Sequence, residues 1–158
     1  MLANINNETK EVKLVSVYRD TAMDVDGDGT LQKCNYAYNH GGPDEAVEML
    51  NRNLDLDIDG YVAVDFYALA GVVDALGGLE IELTDEEAKW MNEAYIHFLE
   101  QELGRTSEEV TGGLQTLDGI QTVAYCRVRY TAGDDFKRAE RQRLVLSLLV
   151  DKVKKMNV

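Results

Sequence analysis

The stretch from Asp134 to Val150, DDFKRAERQRLVLSLLV, constrains the fold most, because its first half is dense in charge and its second half is almost wholly apolar. Arg138 and Gln142 are four residues apart, so in a helix they stand one turn above the other on one face, with Arg141 beside them. From Leu144 to Val150 six of seven residues are apolar, which predicts a helix buried on most sides there. A buried tail holds the preceding turns rigidly, and the free N–H groups and dipole at a helix N-terminus favour anions. The segment therefore reads as a long helix with an anion-binding head and a buried tail, and phosphate is the obvious anion. Arg127 and Arg129 are spaced for one face of an extended segment and can converge on the same place. The same arginines are equally suited to pairing with some of the 29 acidic residues, and spacing does not separate the two readings.

The formal net charge of -13 argues against nucleic acid as a partner, so any anion site must be local. The two cysteines, Cys34 and Cys126, are far apart and outside any paired motif, which predicts buried thiols rather than a disulfide framework or a zinc site. No signal peptide and no run long enough to span a bilayer is visible, so the chain as it stands reads as soluble. At 158 residues one core is expected, hence a single domain over residues 1–158.

Along the chain the pattern predicts a hairpin turning at Asn6-Asn7, then a long Asp- and Gly-rich loop with a brief strand or turn near Lys33–Asn35. A helix over Glu45–Asn53 follows, capped by Asp44, and then an interior strand in GYVAVDF. FYALAGVVDAL reads as a short helix stopped by Gly77-Gly78, LEIEL as a half-exposed strand, and Thr84 with Glu87 as a capping box opening an acidic amphipathic helix. LDGIQTVAYCRVRY opens as a helix to about Tyr125. The expected fold is α/β, a mixed central β-sheet flanked by α-helices.

Two further groups are candidates for chemistry. Arg19-Asp20-Thr21 ends a predicted interior strand, where Arg19 can grip a phosphate bidentately and Asp20 can ligate a cation or accept a proton. Asp24, Asp26 and Asp28 with Gly29 match the first half of an EF-hand loop, making them calcium candidates, but Asn35 stands where the bidentate Glu belongs. His40 and His97 lack partners in sequence and read as structural or exposed.

Taken together, VKLVSVYRDT (Val12 to Thr21), KCNYAYNHGG (Lys33 to Gly42), DGYVAVDF (Asp59 to Phe66), VDALGGLEIEL (Val73 to Leu83), LDGIQTVAYCRVR (Leu117 to Arg129) and GDDFKRAERQR (Gly133 to Arg143) resemble, in this order, the LytR-CpsA-Psr family of bacterial cell-envelope proteins. The chain departs from the family pattern at Tyr18, where the family has Pro, and at Cys126, where it has Val. The resemblance implies an enzyme that transfers a glycopolymer from a polyprenyl phosphate or pyrophosphate carrier to cell-wall peptidoglycan. It would act with Mg2+ at the outer face of the cytoplasmic membrane, tethered there by an N-terminal anchor absent from this chain. Arg19, Arg127, Arg129, Arg138 and Gln142 match the family's phosphate-binding positions, and Asp20 or Asp134 is the expected positioning group or base. The main metal ligands are expected upstream of Met1, so weak magnesium binding and poor transfer are expected of these 158 residues. Two alternatives stand beside this reading: a non-catalytic envelope-binding or regulatory module that binds polyprenyl phosphate, and a calcium-stabilised surface domain.

Overall fold

The computed structural model describes residues 1–129 and 134–156. They fall into two compact units, Met1–Ala63 and Val64–Val158, and both mix helices with short strands, so the α/β class holds.

In the first unit, β1 (Leu2–Ile5) and β2 (Val12–Val15) pair antiparallel, with Leu2 opposite Val15. The turn forms where expected because the Asn6 carboxamide accepts from the Glu8 and Thr9 amides, each at 2.9 Å. β3 (Ala22–Asp24) and β4 (Leu31–Lys33) form a second antiparallel pair around the Asp/Gly loop. α1 (Asn35–Leu54) begins ten residues before the predicted helix and is broken at Gly42 (φ 73°, ψ -157°), ahead of Pro43. Glycine alone takes that backbone conformation without strain, so the Gly-Pro pair marks a kink where a loop was expected. Met23, Val25, Cys34, Ala37 and Met49 make a small core. It is tied by Asn53, whose side chain exchanges bonds of 2.9 and 2.8 Å with the backbone of Asp24.

Two expectations are corrected in this region. β2 ends at Val15, so Arg19 and Asp20 lie in a turn beyond the strand, closed by the Thr21 amide on the Tyr18 carbonyl at 3.0 Å. β2 pairs only with β1, which makes it no interior strand among the described residues. The second correction concerns Gly60–Ala63 and Val64–Asp65, which form no strand, and Val62 is 88% exposed. β-branched residues favour a strand only when a neighbour supplies the other half of the ladder, and no described strand pairs with this run. Among the described residues pairing is consequently confined to three antiparallel two-stranded ladders, where one mixed central sheet was expected.

In the second unit, α2 (Phe66–Ala75) is capped by Asp65 and ends before Gly77 and Gly78, both at positive φ. β5 (Leu79–Leu83) alternates buried and exposed as predicted, and pairs antiparallel with β6 (Gly113–Leu117). β6 was not foreseen, because its five residues carry little hydrophobic alternation and adjoin a Gly-rich loop. α3 (Asp85–Trp90) starts on the predicted capping box. It passes through a π-helical turn (Met91–Ile96) into α4 (His97–Leu103), so the acidic helix is continuous in path but widened in its middle. α5 (Gly119–Arg127) is buried from Gly119 to Cys126, and α6 (Asp134–Lys155) packs against it and against β5.

The α6 tail is more one-sided than its composition suggested. Val145 and Leu149, one turn apart, are buried, while Leu144 is 41% exposed. Helical geometry puts neighbouring residues on different faces, so a uniformly apolar run need not be uniformly buried.

Gly119 sets the approach of α5 to α2. A Cβ there would collide with the Ala70 carbonyl, and the Gly119 amide donates to Asp74 Oδ1 at 2.6 Å. Gly119→Ala is expected to cost about 1–3 kcal/mol through forced separation of the two helices. The urea midpoint reads this, and an unchanged midpoint would show that the contact is not a constraint.

Candidate functional site

α5 ends at Arg127 and α6 begins at Asp134, and of the arginines singled out in the sequence Arg127, Arg129 and Arg138 belong to this junction, while Arg19 lies in the first unit. Asp135 Oδ1 lies 3.0 Å from Arg138 Nη2 and 3.9 Å from Arg129 Nε. Arg129 and Arg138 thus converge on one carboxylate. The Arg138 side chain is only 15% exposed, whereas that of Arg129 is 48% exposed, so one fork is packed and the other open to solvent. Two guanidiniums thus face one described carboxylate in the first turn of α6, where the helix dipole also favours an anion. Sequence reading passed over Asp135 in favour of its neighbour Asp134, whose side chain lies outside the described residues.

The junction is held by a residue to which the sequence assigned no role. Arg141 is buried, and it donates from Nε to Glu87 Oε1 at 2.7 Å and from Nη1 to the Val128 carbonyl at 2.9 Å. Its guanidinium also lies over the Tyr125 ring, 5.8 Å from the centroid. The second Glu87 oxygen accepts from the Thr84 amide and hydroxyl at 3.0 Å each, so one carboxylate both caps α3 and anchors α6. Gln142, expected to assist phosphate binding, donates to the Cys126 carbonyl at 3.4 Å and so leans on the end of α5. Clamping Val128 fixes the residue directly before Arg129.

Burial by itself would raise the Glu87 carboxyl, but the Thr84 amide and hydroxyl and the Arg141 guanidinium outweigh it and hold Glu87 below the ordinary value. Burial, with the nearby Glu87 charge, pushes the Tyr125 hydroxyl up to about 12. Burial likewise pushes the Cys126 thiol up to about 12, which removes it as a nucleophile.

Arg127 stands in different surroundings. Its guanidinium carbon lies 4.7 Å from the Phe66 ring centroid, 5.0 Å from Phe98 and 5.6 Å from Tyr95. In the first unit, Arg19 Nε is 3.5 Å from Asp20 Oδ1, which also takes Lys33 Nζ at 3.1 Å. The calcium candidates are spent on the hairpin itself. Asp24 accepts from the Gly27 and Gly29 amides, Asp28 from the Thr30 amide, and Asp26 from the Gln32 side chain. The loop joins two strands instead of two helices, and its carboxylates turn toward groups of the hairpin itself, Asp24 and Asp28 to backbone amides and Asp26 to the Gln32 side chain. Among the described residues no group of three or more His, Cys, Asp or Glu side chains stands close enough to hold a metal ion. Asp135, the acid at the arginine cluster, already faces two cations, so the described donors do not fit magnesium.

The chain matches the LytR_cpsA_psr family over residues 1–158. It belongs to that family. Among curated proteins it is similar to the polyisoprenyl-teichoic acid–peptidoglycan teichoic acid transferase TagU of Enterococcus faecalis, at 32% identity over 99% of this chain and 47% of that protein. It is also similar to the corresponding transferase TagV of Bacillus subtilis, at 31% identity over 97% of this chain and 38% of that protein. The chain therefore spans less than half the length of these relatives. Among solved structures it resembles TagT of B. subtilis, with a TM-score of 0.78 at 28% identity, covering 98% of this chain and 59% of that one. It resembles as well a LytR-CPS2A-psr family protein (TagT) solved with bound octaprenyl pyrophosphate lipid, with a TM-score of 0.76 at 27% identity over 96% of this chain and 57% of that one. Among the described residues of this family member no helix is long and apolar enough to cross a membrane.

Removing Arg141 strands a largely buried Glu87 carboxylate, so Arg141→Met is expected to lose about 3–5 kcal/mol in chemical denaturation. The pH dependence has a defined sign. A carboxyl lowered on folding contributes stability that is complete above the ordinary value of 4.5 and is lost as pH falls through its folded value. Glu87→Gln is therefore expected to be less stable at neutral pH and to lose less on acidification below that value. Parallel acid-melting curves for the two proteins would contradict this.

Proposed function

We propose that this chain grips the phosphates of a polyprenyl phosphate or pyrophosphate carrier in a transferase that moves a glycopolymer from that carrier to cell-wall peptidoglycan. The reaction is placed at the outer face of the cytoplasmic membrane, to which the protein would be tethered by an N-terminal anchor. The observation that carries the reading is the convergence of Arg129 and Arg138 on a single carboxylate at the start of α6. An incoming phosphate brings more negative charge and more acceptor oxygens than one aspartate, so it competes well for both forks. The names of the similar proteins, teichoic acid transferases, and the octaprenyl pyrophosphate bound to one of them support the same substrate class.

In this reading the arginines do two things. They neutralise the phosphates on binding, and they stabilise charge that grows on the departing carrier phosphate as the bond to the sugar phosphate breaks. Arg138, packed and fixed by the Arg141 clamp beside it, supplies a preorganised fork, and Arg129 supplies one that closes on the ligand. Arg19 is a further phosphate ligand by its family position, and Gln142 steadies the helix end. Magnesium, which the family resemblance implies, is proposed to bind these 158 residues weakly, since the donors described do not fit it. Addition of magnesium is accordingly expected to leave the melting temperature unchanged.

A second reading, a non-catalytic module that holds polyprenyl phosphate, is favoured by one observation. Among the described residues, the carboxylate at the arginines, Asp135, is engaged by both of them, which leaves no free carboxylate described there to take a substrate proton.

Arg138→Ala is expected to weaken polyprenyl phosphate binding about tenfold or more, the scale of a charged hydrogen-bonding fork. Arg138→Lys, which keeps charge but not the fork, should recover only part of it. Unchanged affinity in Arg138→Ala would contradict the reading, and binding without turnover by the wild-type chain would favour the non-catalytic module.

A further inference from the structure

Arg127 is held by rings, while the other arginines at the junction are held by carboxylates. Arg129 and Arg138 face Asp135, and Arg141 faces Glu87. Among the described residues no carboxylate pairs with Arg127, and its Nη1 is buried without a hydrogen-bond acceptor. Phe66 reaches it from the first turn of α2, Tyr95 from the π-helical turn and Phe98 from α4. In a chain with 29 acidic and 16 basic residues, a site arginine packed only against aromatic faces is a distinctive choice of partner.

The physical difference between the two kinds of partner is charge. A carboxylate fixes a guanidinium and cancels it, whereas a ring quadrupole fixes it and leaves its full charge for another anion. The π-helical turn contributes here, since the extra residue in its turn alters the rotational register between α3 and α4 and so changes which side chains share a face. Tyr95 is buried and acts as the floor, while Phe66 and Phe98 are each nearly half exposed and flank the cation.

We propose that Phe66, Tyr95 and Phe98 form an aromatic clamp that positions Arg127 for the carrier phosphate while leaving its charge uncancelled. The three are positioning residues that act through Arg127. The proposal rests on the phosphate-carrier reading given above.

The test is a double-mutant cycle in the full chain, with polyprenyl phosphate in detergent as the probe. Phe98→Leu keeps apolar bulk but removes the π face, and it is expected to weaken binding about threefold to thirtyfold. Phe98→Trp should restore wild-type affinity, because indole is the stronger cation–π partner. In an Arg127→Met background, Phe98→Leu should have no further effect on affinity, which a merely structural ring would not obey. Urea midpoints of each variant show whether it is folded, and Phe66→Leu serves in the same cycle if Phe98→Leu is not. Equal loss in both backgrounds would mean that the ring touches the lipid tail instead, and it would overturn the clamp. No loss in either background would also overturn it. Wild-type binding with either of these results removes the clamp alone, whereas a wild-type chain that binds no polyprenyl phosphate removes the phosphate-carrier reading and the clamp together.

Discussion

The buried ion pair between Arg141 and Glu87 is the interaction on which the rest of the site depends. Removing two charges from water is costly, and the pair is tolerable because both Glu87 oxygens and the Arg141 Nε and Nη1 are hydrogen-bonded. One Glu87 oxygen closes the cap of α3, the other takes Arg141 at 2.7 Å, and the remaining Arg141 fork holds the Val128 carbonyl. A single side chain thereby ties the start of α3, the end of α5 and the body of α6. Arg129 follows Val128 directly and Arg138 precedes Arg141 by one turn, so both candidate phosphate ligands inherit their placement from it.

Around that anchor the chain handles its cations in three ways. Arg141 is neutralised and structural. Arg129 and Arg138 share one carboxylate, which leaves them partly available. Arg127 is packed on rings and keeps its charge. In a strongly acidic protein this gradation concentrates positive potential at one junction, and a doubly charged phosphate gains more there than a single aspartate does.

Much of this was readable from residues. The Asn6-Asn7 turn, the Thr84/Glu87 capping box, the alternation in Leu79–Leu83 and the i,i+4 relation of Arg138 to Gln142 are local patterns, and the structure contains each of them. What escaped depended on distant partners. Glu87 announced its cap three residues from Thr84 but gave no sign of Arg141, which lies 54 residues away. The GYVAVDF run has every strand preference except a neighbour to pair with. Asp135 could not be told from Asp134 in the sequence, because adjacent helix residues point to different faces and only the fold sets which way Asp135 faces. The aromatic setting of Arg127 draws on three separate elements, so no spacing rule reaches it.

The most direct measurement is a crystal structure of the chain with a polyprenyl pyrophosphate bound. Phosphate oxygens are expected within about 2.7–2.9 Å of the guanidiniums of both Arg129 and Arg138, with Asp135 released from at least one of them. A bound pyrophosphate held elsewhere, with Arg129 and Arg138 still closed on Asp135, would contradict the proposed site.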